Sequence, residues 1–163
     1  MDQHWYALYT RPRHEKQIWQ ALTNQRIEAY LPTHKIRRRW SDRYKIVEEP
    51  LFKNYLFVRT DAEHYRQALK PYGAVSFVTL DGEPAIIPDE ELEALKILVT
   101  SEIPHNPYPY LKAGRKIRLK YGPMEGCEGV LVRNRGLSRL VVTVHLLQRS
   151  IEAEVDAAWI EPR

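Results

Sequence analysis

The stretch EPLFKNYLFVRT, residues 49–60, reads as a β-strand that is apolar on both of its faces. Side chains alternate along a strand, so Phe52, Leu56 and Val58 fall on one side with Asn54. Leu51, Tyr55 and Phe57 fall on the other with Lys53 and Arg59. The helices of a small domain readily cover one face of a sheet, and the second face then needs its own explanation. Upstream, WYALYT (residues 5–10) sets Trp5, Ala7 and Tyr9 together. If the two strands are neighbours, Tyr9 joins Tyr55 and Phe57 in a single aromatic patch. Either the protein's helices cover both faces, or the patch is exposed and implies a protein partner.

The same pattern predicts the remaining elements. HEKQIWQALTNQ places Ile18, Ala21 and Leu22 at helical spacing, and EAYLPTHKIRRRW with YKIVEEPLFKNYLFVRT reads as a long hairpin with a basic tip, joined around Ser41, Asp42 and Arg43. Asp61 can cap a short helix carrying Tyr65, Ala68 and Leu69. AVSFVTL and PAIIP form an extended pair around Asp81 and Gly82. Asp89 caps a last helix, with acids in its first turn and Leu92, Leu95 and Val99 on one face. Pro104, Pro107 and Pro109 then mark an extended linker over residues 101–111. Beyond it, KIRLKY, EGVLVRN, RLVVTVHLL, SIEAEV and the closing AAWIEPR are short strand-like runs split by glycines, which favours a small all-β barrel. The expected fold is α+β: an antiparallel sheet with helices over residues 1–100, and an all-β domain over residues 112–163.

Charge changes this picture more than composition does. The chain is 44% hydrophobic and 28% charged, as ordinary folded domains are, and carries a net charge of +4. That total hides a basic start (+6 over residues 1–46), an acidic middle (−6 over residues 47–103) and a basic end (+4 over residues 104–163). No run is long and apolar enough for a membrane span, and the N-terminus has neither the basic start nor the apolar core of a signal peptide, so a cytoplasmic protein is expected. The single cysteine, Cys127, rules out an internal disulfide, and no local motif activates it.

Candidate chemistry is scarce. The histidines at 4, 14, 34, 64, 105 and 145 lack the paired spacing of metal ligands, and neither a phosphate-binding loop nor a nucleophile elbow occurs. No metal, cofactor or catalytic residue is expected. Binding is the better theme. HKIRRRWSDRYK crowds Lys35, Arg37, Arg38, Arg39, Arg43 and Lys45 around Trp40 and Tyr44. Guanidinium groups pair with phosphates and rings stack on unpaired bases, so the tract suits single-stranded or hairpin nucleic acid; the plainer reading is a solvated turn.

Four segments in order, WYALYTRPRHEKQ, EEPLFKNYLFVRT, GEPAIIPDEEL and KIRLKYGPMEGCEGVLV, resemble the NusG/Spt5 transcription elongation factors, in which an NGN domain precedes a KOW domain. The likeness is closest to specialised paralogues of the RfaH and UpxY antiterminator type. It implies a monomeric, non-enzymatic factor that binds the clamp helices of the largest RNA polymerase subunit through Tyr9, Tyr55 and Phe57 and suppresses pausing or termination at particular operons. It further implies a KOW contact with ribosomal protein S10 or Rho at Leu146, Leu147 and Arg149. Arg11, Arg66, Gln67 and Lys70 become candidates for non-template DNA or a polymerase loop, and Arg37, Arg38, Arg39 and Arg43 for DNA or nascent RNA. The alternatives are a KOW protein that binds RNA or the ribosome without touching polymerase, and an RNA-processing enzyme whose site follows no recognised motif.

Overall fold

The computed structural model, which describes residues 2–160, turns the first aromatic run into β1 (His4–Thr10) and the amphipathic segment after it into α1 (Glu15–Asn24). Ile18 and Leu22 lie one turn apart on α1 and are fully buried. β2 (Glu28–Tyr30) follows, then β3 (Thr33–Trp40) and β4 (Arg43–Pro50), which pair over their whole length as a two-stranded ribbon. Ser41 takes the left-handed φ of 48° that its tight turn requires. β5 (Tyr55–Thr60) leads to a short 3-10 helix, Tyr65–Leu69, and then to β6 (Ala74–Phe77). The main sheet is antiparallel, in the order β2-β5-β1-β6. β7 (Thr79–Leu80) and β8 (Glu83–Pro84) form a small hairpin turning at Asp81 and Gly82, both with positive φ.

Both faces of this sheet are apolar. Tyr6, Leu8, Leu56 and Val58 pack with Ile18, Leu22 and Phe77 in one core, and Trp5, Ala7 and Phe57 are buried on the opposite face. Phe52 corrects the sequence-based assignment. It was expected beside Leu56 and Val58, yet its ring meets Phe57 edge-on at 5.9 Å. The cause is Asn54, whose φ of 72° breaks the alternation before β5 begins. The buried Glu15 carboxylate secures that turn by accepting the Asn54 N–H at 2.9 Å.

The chain divides into two compact units between Ile87 and Pro88. The second opens with α2 (Asp89–Thr100), where Pro88 is the N-cap and Asp89, expected to cap, is the first helical residue. The Ala94 carbonyl accepts the Cys127 S–H at 3.4 Å, and Glu91 accepts the His145 backbone N–H at 2.9 Å, so α2 is bonded to the all-β part. The five-stranded antiparallel sheet there comprises β9 (His105–Tyr108), β10 (Lys116–Arg118), β11 (Glu128–Asn134), β12 (Leu137–Val144) and β13 (Arg149–Val155), in the order β10-β11-β12-β13-β9.

Three expectations differ here. Part of the supposed linker is β9, paired with β13, and Leu111 N–H donates to Ser150 Oγ just beyond it. Pro107 has no N–H to give, and an edge strand is the place in a sheet that tolerates this. The run RLVVTVHLL is not one strand, because His145–Leu147 form a 3-10 turn and Gln148 takes a φ of 52°. AAW in the closing run is a further 3-10 turn, Ala157–Trp159, and Glu161, Pro162 and Arg163 lie outside the described residues.

Candidate functional site

Three surfaces carry the residues that the sequence singled out. The first is the second face of the main sheet. β1 and β5 pair with Tyr9 directly opposite Tyr55 and Ala7 opposite Phe57, as the alternation required. Tyr9 is exposed and Tyr55 half-buried, their ring centroids 5.5 Å apart and tilted by 57°. Phe57 is different. It has no exposed surface, being packed against Phe52 and stacked on Tyr30 at 6.4 Å. The patch open to a partner is therefore Tyr9 and Tyr55, with Phe57 as the buried ring that supports β5. Burial pushes the Tyr30 hydroxyl up to about 12, so it stays protonated. The role of Tyr30 was legible only through β2, a three-residue strand too short for a periodicity argument.

The second surface is the ribbon. Trp40, Tyr44 and Ile46 are 56%, 57% and 70% exposed. The cations are arranged rather than scattered. Arg37 stands 4.0 Å over the Tyr44 ring and Lys45 5.1 Å over Trp40, while Arg38 donates to both Glu49 oxygens at 2.9 and 2.8 Å. Among the described residues, Arg39 and Arg43 have no acidic partner.

Beyond the end of β1 lies a smaller group that the sequence revealed only in part. Arg11 stands 5.5 Å from the centre of the Tyr72 ring, and His14 meets the same ring edge-on at 5.4 Å. The approach depends on Gly73. Its φ is 97°, and a Cβ there would lie 2.7 Å from that of His14. Arg66 covers Tyr65 at 5.7 Å, Lys70 is exposed, and Gln67 lines a separate recess with Asp61 and His64. Arg11, Arg66, Gln67 and Lys70 thus divide between Tyr72, Tyr65 and that recess. Asp61 Oδ1 accepts the N–H groups of Glu63 and His64 at 2.9 Å and contacts the His64 ring at 2.7 Å. Burial works upward on this carboxyl, but the His64 and Glu63 bonds prevail and hold it below the usual carboxylate range.

In the second unit, Leu146 and Leu147 are half-buried on the 3-10 turn and Arg149 is exposed at the start of β13. The turn is anchored by Glu91 on the His145 N–H and by the Tyr110 hydroxyl, 2.9 Å from His145 Nδ1. Neither partner could be foreseen, since both are distant in sequence. Cys127 is buried, and burial, reinforced by Glu128, pushes its thiol up to about 12; it is a protonated core group rather than a nucleophile. Among the described residues, no group of three or more His, Cys, Asp and Glu could hold a metal ion.

Comparison with known proteins is consistent with this geometry. Residues 3–96 match the NusG family, described as "Transcription termination factor nusG". The "Transcription termination/antitermination protein NusG" of Lactococcus lactis subsp. lactis (strain IL1403) is 26% identical over 179 aligned positions, spanning 98% of this chain and 93% of that protein. A solved structure described as "Domain interaction in Thermotoga maritima NusG" superposes with a TM-score of 0.56 at 20% identity, over 99% of this chain and 97% of that one. A chain of the MjSpt4:Spt5 complex aligns more loosely, at 15% identity and a TM-score of 0.34, over 96% of this chain and 95% of that one.

Proposed function

The chain belongs to the NusG family, and from that premise we propose that it is a specialised paralogue of the RfaH and UpxY antiterminator type, acting at particular operons such as surface-polysaccharide clusters. As a family member it is a NusG-like transcription elongation and antitermination factor with no catalytic activity of its own.

The observation that carries the polymerase-binding part of this reading is the Tyr9–Tyr55 pair, while the specialisation rests on the resemblance alone. A sheet that buries Trp5, Ala7 and Phe57 on the same face leaves these two rings accessible, and an exposed aromatic pair on a rigid sheet is the usual form of an anchor for a protein partner. By the resemblance, that partner is the clamp-helix region of RNA polymerase. A factor that binds the closed, elongating state better than the paused state shifts the population toward elongation without covalent chemistry. The exposed cations at Arg11, Arg66 and Lys70 and on the ribbon suit non-template DNA or nascent RNA alongside. Leu146, Leu147 and Arg149 suit a partner such as ribosomal protein S10 or Rho. This work would take place in the cytoplasm, by a monomer; no helix among the described residues is long and apolar enough to cross a membrane.

Capture of RNA polymerase on the immobilised chain tests the reading. Tyr9→Ala and Tyr55→Ala should each lower retention at least tenfold, and undiminished capture by the double variant would sink it. Mapping occupancy along the chromosome tests specialisation: a few operons are expected, and occupancy of most transcribed genes would indicate a general factor instead.

A further inference from the structure

We propose that the ribbon takes single-stranded nucleic acid on one of its two faces, the face that carries Lys35, Arg37 and Arg39 on β3 beside Tyr44 and Ile46 on β4. This rests on the reading of the ribbon as a nucleic-acid contact, and it adds which side binds and which form of nucleic acid fits.

Alternation and the observed register separate the two faces. Lys35 is paired with Glu48, Arg37 with Ile46 and Arg39 with Tyr44; between them lie His34 with Glu49, Ile36 with Val47, Arg38 with Lys45 and Trp40 with Arg43. The second set has its charge partly spent and its apolar groups partly covered toward the base of the ribbon, with Trp40 exposed at the tip under Lys45. Arg38 is held by both Glu49 oxygens, and Ile36, Val47 and Glu49 are half-buried. The first set is exposed along its entire length. Its single acid, Glu48, lies at the base of the ribbon and is engaged by the Thr33 hydroxyl at 2.7 Å.

Chemistry then selects the ligand. Alternate residues of a strand are ~6.8 Å apart, twice the rise per residue. Neighbouring phosphates of a nucleic-acid strand are a comparable distance apart whether or not the strand is paired, so such a row can follow consecutive phosphates, and the groups beside them decide between duplex and single strand. The β4 side of the same face offers a ring and a branched aliphatic chain to whatever lies beside those phosphates. A duplex keeps its base faces stacked inside, whereas an unpaired strand turns them outward onto such groups. Arg37 links the two halves. Its guanidinium already stands 4.0 Å over Tyr44, so a phosphate held by Arg37 brings its own base within reach of that ring.

The test compares two triple variants of the full chain with equal loss of charge: Lys35→Gln/Arg37→Gln/Arg39→Gln on the proposed face, and Arg38→Gln/Arg43→Gln/Lys45→Gln on the other. Binding is titrated against a labelled single-stranded oligonucleotide and the duplex of the same sequence over a range of salt, with circular dichroism to check folding. The first triple should weaken single-strand binding at least tenfold and flatten the plot of log affinity against log salt by ~2 units, the contribution of about three phosphates. The second should weaken binding through the general loss of charge but at least threefold less than the first. Tyr44→Ala should weaken binding with the salt slope unchanged. Equal losses from both triples would overturn the assignment of the face while leaving the ribbon a nucleic-acid contact, and preference for the duplex would overturn the ligand class. Absence of any binding by the wild-type chain would remove the nucleic-acid reading itself.

Discussion

Tyr55 and Phe57 are two residues apart on one strand and on one face, and they have different jobs. Sequence alternation correctly put them on the same side, since period two is a property of the backbone. It could not show that Phe52 and Tyr30 close over Phe57, because both contacts come from outside the strand, one of them through a left-handed turn at Asn54. Phe57→Ala should therefore cost ~3 kcal/mol or more in denaturant unfolding, as removal of a fully buried ring does. Tyr55→Ala should cost less than half of that while weakening capture of polymerase. Asp61 gives a second residue-scale expectation. Its carboxyl is held below the usual range, so its contribution to stability is complete above the unfolded-state value and is lost as pH falls through the folded-state value. The gap in stability between wild type and Asp61→Asn, measured by urea titration, should be largest near neutrality and close as the solution becomes strongly acidic. A gap independent of pH would show that the side-chain bonds matter but the charge does not.

Elements were legible where they are long and strongly patterned: β1, α1 and α2 lie where periodicity put them, while the ribbon is only the inner part of the longer hairpin expected, whose outer ends became β2 and β5 of the main sheet. The failures share a cause. His145–Leu147 carries on a β-like composition but bends because its backbone is held by Glu91, and His105–Tyr108 has a linker-like composition but pairs because β13 offers an open edge. In both cases a distant partner overrode local preference. The ribbon is the opposite case, an element sustained by its own cross-strand pairs over most of its length. Replacing residues 37–46 by a two-residue turn should leave the melting temperature within a few degrees of wild type and abolish binding of single-stranded oligonucleotide. A large fall in melting temperature would mean that the ribbon supports the sheet.

For the molecule as a whole, the order of an α+β part followed by an all-β part was legible from the change of period near the prolines, and the division between units was not. It falls at Ile87, before α2, rather than in the Pro-rich stretch. The consequence concerns how the all-β part should be isolated. A fragment starting at residue 112 lacks α2 and β9 and leaves one edge of β13 unpaired, whereas one starting at residue 88 retains both. The longer fragment should melt ~4 °C or more above the shorter, corresponding to ~1 kcal/mol for a domain of this size. Both fragments and the full chain should show β-type carbon chemical shifts over β10 to β13. Helical shifts in that segment of the full chain would contradict the sheet described above.

The ribbon has one more implication, for the behaviour of the protein in concentrated solution. Two strands paired only with each other leave both outer edges with unsatisfied backbone groups, and this ribbon adds an exposed Trp40, Tyr44 and Ile46. Such an edge is a template for pairing with another copy of itself, and charged side chains are the usual protection against it. The six cations between residues 35 and 45 therefore also act as mutual repellents, keeping copies apart until a polyanion neutralises them. A charge-stripped variant, and the wild type in high salt, should therefore self-associate more than the wild type in low salt, as light scattering would show.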